Sequence, residues 1–131
     1  MTDAADKVRV AITELRAKYP TTKVLALGGS QGAGLAYALA ARGDVDGVVA
    51  VSGSLPPTLR PTTQGTAGII GIHGTKDAVV PAAAGKATVE SFKVAGFPVV
   101  EWLPIEGGTH ALAVDPAKSG AKQALRQLAA M

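Results

Sequence analysis

At 131 residues, 47% hydrophobic and 18% charged, the chain has the size and balance of one globular domain, residues 1–131, and not of a disordered or fibrous one. Its formal net charge is +3, but the 13 Lys and Arg residues are scattered and no aromatics sit between them, which argues against a nucleic-acid surface. The absence of cysteine excludes disulfides and thiolate-held metals; with no apolar signal core in MTDAADKVRV and no apolar run of membrane-spanning length, no membrane partner is expected and the expected location is cytoplasmic.

Residues 3–19 read as a helix, with Val8, Ile12, Leu15 and Tyr19 on one stripe, Asp3 as N-cap and Pro20 as the stop. Residues 23–27 form a short strand that is apolar on both faces, as in a covered parallel sheet. GGSQGAG follows, and residues 31–42 read as a helix that Gly43 ends. GVVAV at 47–51 is a second buried strand, leading into a proline-rich loop over 52–65. AGIIGI at 67–72 is a third, ending in HGTKDAVVP, whose Pro81 opens a helix that Gly96 stops. VVEWL at 99–103 is a fourth strand, and Glu101 in its middle marks it as a sheet edge. After EGGTHALAVD, Asp115 and Pro116 open a last helix to residue 130, with Ala117, Ala121, Leu125 and Leu128 on its stripe. Strands alternating with helices predict an α/β fold: a three-layer sandwich of about four parallel strands flanked by about four helices.

In such sheets ligands bind beyond the carboxyl ends of the strands. Ser30, Ser52, His73, Asp77 and His110 all follow strand ends, so the loops gather them on one rim. GGSQGAG does not fit a phosphate cradle. A P-loop needs a lysine that this loop lacks, and no Gly-x-Gly-x-x-Gly register fits, because position 37 is Tyr. Gly28 to Gly32 does match Gly-x-Ser-x-Gly between a strand and a helix, the elbow that lifts a serine off a sheet. Bulky neighbours would clash in so sharp a turn, and the Gln31 N–H at the helix start is aimed at an oxyanion beside Ser30.

A serine becomes a nucleophile only with a base in reach and an acid that orients the base. The chain has two histidines. Ser30, Asp77 and His110 occur in the chain order of this hydrolase geometry. His73 is the rival base, better suited to a buried role that shapes the acid loop. Asp115 and Glu106 are rival acids. Ser52 and Ser54 are rival nucleophiles, but Pro56 and Pro57 follow where an elbow needs a helix. The remaining substrate contacts are expected at Gly29, Ser54, Leu55 and Val79. No His-x-x-x-His spacing or carboxylate cluster suggests a metal, and no cofactor is expected.

Four segments together resemble the phospholipase/carboxylesterase group of the α/β-hydrolases, which includes acyl-protein thioesterases. GGSQGAG resembles its Gly-x-Ser-Gln-Gly-Gly elbow, with Ala33 in place of the last glycine. GVVAVSGSLP resembles its strand ending in Ser-Gly-x-Leu-Pro, HGTKDAVVP its His-Gly-x-x-Asp-x-x-Val-Pro, and GGTH its Gly-x-x-His. The resemblance implies Ser30 as nucleophile, Asp77 as acid, His110 as base, and hydrolysis of small carboxylic esters or thioesters through an acyl-enzyme.

Against that group, this chain is a shortened form. The strands that precede the first helix, and the loop that supplies a second oxyanion donor, have no counterpart here. One lost donor costs ~10²–10³-fold in turnover. The strand at 23–27 then becomes an open edge, which predicts a homo-oligomer that covers it. The alternative function is a hydrolase-fold binding or structural module with weak or no catalysis.

Overall fold

The computed structural model describes residues 2–20 and 23–131. The elements run α1 (Thr2–Lys18), β1 (Leu25–Gly29), α2 (Gln31–Ala41), β2 (Gly47–Val51), β3 (Gly68–Gly74), α3 (Ala82–Ala95), β4 (Val100–Ile105), α4 (Pro116–Ser119) and α5 (Ala121–Ala129), with short 3-10 turns at Pro57–Leu59 and His110–Val114. The four strands form one parallel sheet in the order β1-β2-β3-β4.

The pleat divides the apolar strand residues between two cores. Val48, Ala50 and Ile69 face Tyr37 and Leu39 of α2 and Val89 and Phe92 of α3. Val49, Val51, Ile70 and Ile72 face Leu112 of the 3-10 turn and Ala121, Ala124 and Leu128 of α5. Burial on both faces is why β2 and β3 read as unbroken apolar runs. The outer strands are only partly buried. On β4, Glu101 accepts a hydrogen bond from Gln127 Nε2 at 2.9 Å, in keeping with its place at an edge.

Several boundaries differ from the sequence reading. Strands β1, β3 and β4 each end two residues later than the apolar runs suggested, which carries the strand ends up to Ser30 and past His73. The first helix starts at Thr2, which puts Asp3 inside its first turn and not at the cap. Its stripe is also less buried than its periodicity implied: Ala5 is buried and Val8 and Ile12 half-buried, but Leu15 and Tyr19 are exposed. The last helix is not continuous. Gly120 holds the left-handed region at φ 74° and separates α4 from α5. The break re-aims α5 so that Ala121, Ala124 and Leu128 meet the sheet, and it leaves Ala117 exposed.

Candidate active site

The parallel register aligns Gly29 with Val51, Val51 with Ile72 and Ile72 with Leu103. The next residues along β1, β2 and β3 are Ser30, Ser52 and His73, so one rim carries all three. Ser30 sits at φ 55° and ψ −118°, a conformation that non-glycine residues rarely adopt and that costs on the order of 1–3 kcal/mol. Two backbone bonds hold it there: its N–H donates to the Val51 carbonyl at 2.8 Å, and its carbonyl accepts from the Ala33 N–H at 3.0 Å. Gly28 makes the turn sterically possible, since a Cβ there would run into the Gly32 carbonyl.

Ser30 Oγ lies 2.7 Å from His110 Nε2, and His110 Nδ1 lies 2.9 Å from Asp77 Oδ2. An ionised carboxylate only accepts, so the ring proton is assigned to Nδ1, and Nε2 is left to accept from the Ser30 hydroxyl. The carboxylate of Asp77 is fully buried. Its Oδ1 accepts the Val79 and Val80 N–H groups, each at 2.9 Å. Burial works to raise its pKa, but the hydrogen bond from His110, the Val80 and Val79 N–H groups and the charge of His110 together hold it below the usual carboxylate range.

The rivals stand apart from this series. Neither Ser52 nor Ser54 is hydrogen-bonded to a histidine. Asp115 caps α4, accepting from the Lys118 N–H at 3.1 Å, and Glu106 is exposed. His73 is buried behind the acid: its Nε2 donates to the Val80 carbonyl at 2.8 Å and lies 3.3 Å from Asp77 Oδ2.

An open cavity of about 510 Å³ adjoins the serine, lined by Ser30, Gln31, Gly34, Gly53, Ser54, Leu55, Pro56, Pro57, Arg60, Val80 and Ala84. Of the residues expected to contact substrate, Ser54 and Leu55 line it. Gly29 belongs to a neighbouring apolar hollow with Leu112 and Ala113, and Val79 points outward while Val80 lines the cavity in its place. Sequence reasoning missed Val80, Ala84 and Arg60. The first two had a signal, since they flank Pro81 at the mouth of α3. Arg60 had none, because only the fold of the proline-rich loop brings it back, with its Nε 3.2 Å from the Leu55 carbonyl.

Residues 1–130 match the model of the dienelactone hydrolase family. The chain belongs to that family. This agrees with the α/β-hydrolase resemblance carried by the motifs. Among solved structures, this dienelactone hydrolase family member is similar to TT1662 from Thermus thermophilus, with 26% identity, a TM-score of 0.74, and coverage of 95% of this chain and 62% of that one. It is also similar in fold to acyl-protein thioesterase 2 of Zea mays, with 22% identity, a TM-score of 0.72, and coverage of 97% and 66%. Esterase PE8 is similar in fold as well, with 22% identity, a TM-score of 0.76, and coverage of 97% and 61%. The chain therefore spans less than two thirds of the length of each of these proteins. No curated protein matches it by sequence. None of its described helices is long and apolar enough to cross a membrane.

Proposed function

We propose that this protein is a serine hydrolase that cleaves small carboxylic esters or thioesters through an acyl-enzyme. One observation carries the reading: the unbroken hydrogen-bonded series from Ser30 Oγ through His110 to Asp77. Membership of a hydrolase family supports it.

In this reaction Ser30 Oγ attacks the carbonyl carbon while His110 Nε2 takes its proton. Asp77 holds the imidazole in the required tautomer and stabilises its charge. The negative charge that develops on the carbonyl oxygen meets the Gln31 N–H. This is the first N–H of α2, which has no carbonyl within the helix to donate to. The alcohol or thiol leaves with the proton from His110. Water then enters by the same route and adds to the acyl carbon while His110 takes its proton; His110 passes that proton to Ser30 Oγ as the acyl–oxygen bond breaks, which releases the acid and free Ser30. Ser54, Leu55 and Val80 wall the cavity that takes the substrate. The cavity is open, which suits small and accessible esters. The assembly we propose is a homo-oligomer that covers the free edge of β1.

A fluorophosphonate probe tests the reading. Wild-type protein is expected to be labelled, and Ser30→Ala to be unlabelled. His110→Ala is expected to fold and to lose p-nitrophenyl acetate turnover. A folded wild type that takes no label would instead leave the alternative, a binding module on a hydrolase fold.

A further inference from the structure

The chemistry above leaves two buried polar groups unused. His73 is 1% exposed, and its Nδ1 has no hydrogen-bond partner. Ser52 is fully buried, and its Oγ has none either. Unpaired buried polar atoms are costly, and a strained backbone holding one is costlier still; Ser52 is, with Ser30, one of the two non-glycine residues at positive φ among the described residues, at 60°.

The two residues sit side by side. The Ser52 N–H donates to the Ile72 carbonyl at 2.9 Å, which extends the β2–β3 ladder one step beyond Val51 and Ile72. Val51 and Ile72 face the α5 side, so within β3 the pleat sends His73 to the α3 side, while Ser52 leaves the end of β2 beside it at φ 60°. There Gly85 of α3 abuts the His73 ring, so closely that a Cβ would collide with Nδ1, and the Gly53 carbonyl lies against the same glycine. The chemistry of the two orphans is complementary, since a hydroxyl donates and an unprotonated ring nitrogen accepts.

The other side of the ring explains why its tautomer matters. The Val80 carbonyl accepts from Nε2 at 2.8 Å and Asp77 Oδ2 lies 3.3 Å from it, so the proton is assigned to Nε2. With the proton on Nδ1 instead, the Nε2 lone pair would face two acceptors, and residues 77–80 would lose their anchor.

We propose that His73 is a positioning residue for Asp77: its Nε2–H anchors the Val80 carbonyl, and the N–H of the same Val80 holds Asp77 Oδ1. The buried Ser52 hydroxyl sets the His73 tautomer by donating towards Nδ1 across one water, which would satisfy both unpaired atoms. The role rests on the hydrolase reading only for its consequence, since the arrangement of Ser52, His73 and Asp77 exists with or without turnover.

Long-range proton–nitrogen NMR on protein labelled with nitrogen-15 histidine tests this at neutral pH, and two histidines make a simple spectrum. His73 is expected as the Nε2-protonated tautomer. Ser52→Ala is expected to move its Nδ1 resonance towards that of an unbonded nitrogen. In p-nitrophenyl acetate assays, His73→Phe is expected to lower kcat about tenfold with little change in KM, while His73→Gln, which keeps a donor near the Nε2 position, recovers most of it. An Nδ1-protonated His73, or ring nitrogens that Ser52→Ala leaves unmoved, would overturn the proposal, and so would an unchanged kcat in folded His73→Phe. Should His73→Phe not fold, the Ser52→Ala spectrum still decides. Because the spectra need no turnover, wild-type protein that refuses a fluorophosphonate would sink the hydrolase reading and leave this test standing.

Discussion

Asp77 gathers four contacts on two carboxylate oxygens: the N–H groups of Val79 and Val80 on one, and His110 and His73 on the other. The hydrogen bond from His110, the Val80 and Val79 N–H groups and the charge of His110 favour the ionised form, and together they outweigh the burial that opposes it. Its folded pKa is lowered, so its contribution to stability is present above the unfolded value of about 3.9 and is lost as pH falls through the folded value. Thermal melts of wild type and Asp77→Asn compared from pH 5 to pH 3 are therefore expected to converge. A melting-temperature gap that stays constant across that range would mean that the charge of Asp77 contributes nothing to folding. At this scale a motif fixes both spacing and residue type at Ser30, Asp77 and His110, and the fold sets these three within hydrogen-bonding distance in series. The sequence was silent about Arg60, which no local pattern ties to the cavity.

Among the elements, α1 is held differently from the rest. Ala5 is its single buried residue, whereas α2 buries seven. Ion pairs tie it down: Arg9 to Asp44 at 2.8 Å, Arg16 to Asp46 at 3.0 Å, and Asp6 to Arg42 at 2.7 Å. Such partly exposed pairs contribute ~0–1 kcal/mol each and weaken with salt. Hydrogen exchange is thus expected to be faster in α1 than in β2 and β3, and about 0.5 M salt is expected to speed it in α1 selectively. Protection of α1 equal to that of β3 would show that its apolar contacts with α2 suffice. The same comparison explains where periodicity misled. It marks which residues of a helix are apolar, but burial of Leu15 and Tyr19 needs a neighbour that the described residues do not provide.

For the whole molecule, the proposed assembly turns on the edge of β1. Among the described residues no strand pairs with its outer side, Leu27 is 52% exposed, and a groove of about 290 Å³ runs beside it, lined by Val8, Ile12, Leu25, Leu27, Leu35 and Leu39 among others. An unpaired apolar edge invites another chain. Sedimentation at micromolar concentration is expected to show an oligomer, and Leu27→Lys is expected to shift it to monomer while retaining the fold. A wild type that sediments as a monomer would sink the proposed assembly.

The sequence by itself determined the local part of this protein: the alternation of strands and helices, the glycine-lined turn around Ser30, and the order of the three groups at the strand ends. These are near-neighbour properties, set by side-chain period, backbone sterics and turn chemistry. Only the tertiary structure decided how they meet. It placed Ser30 and His110, 80 residues apart in the chain, 2.7 Å apart in space. It broke the last helix at Gly120, sent Val80 and not Val79 to the cavity, and set Ser52 and His73 side by side behind the acid. Those outcomes depend on strand register and on which face each helix packs, and a parallel sheet fixes both only when all its strands have come together.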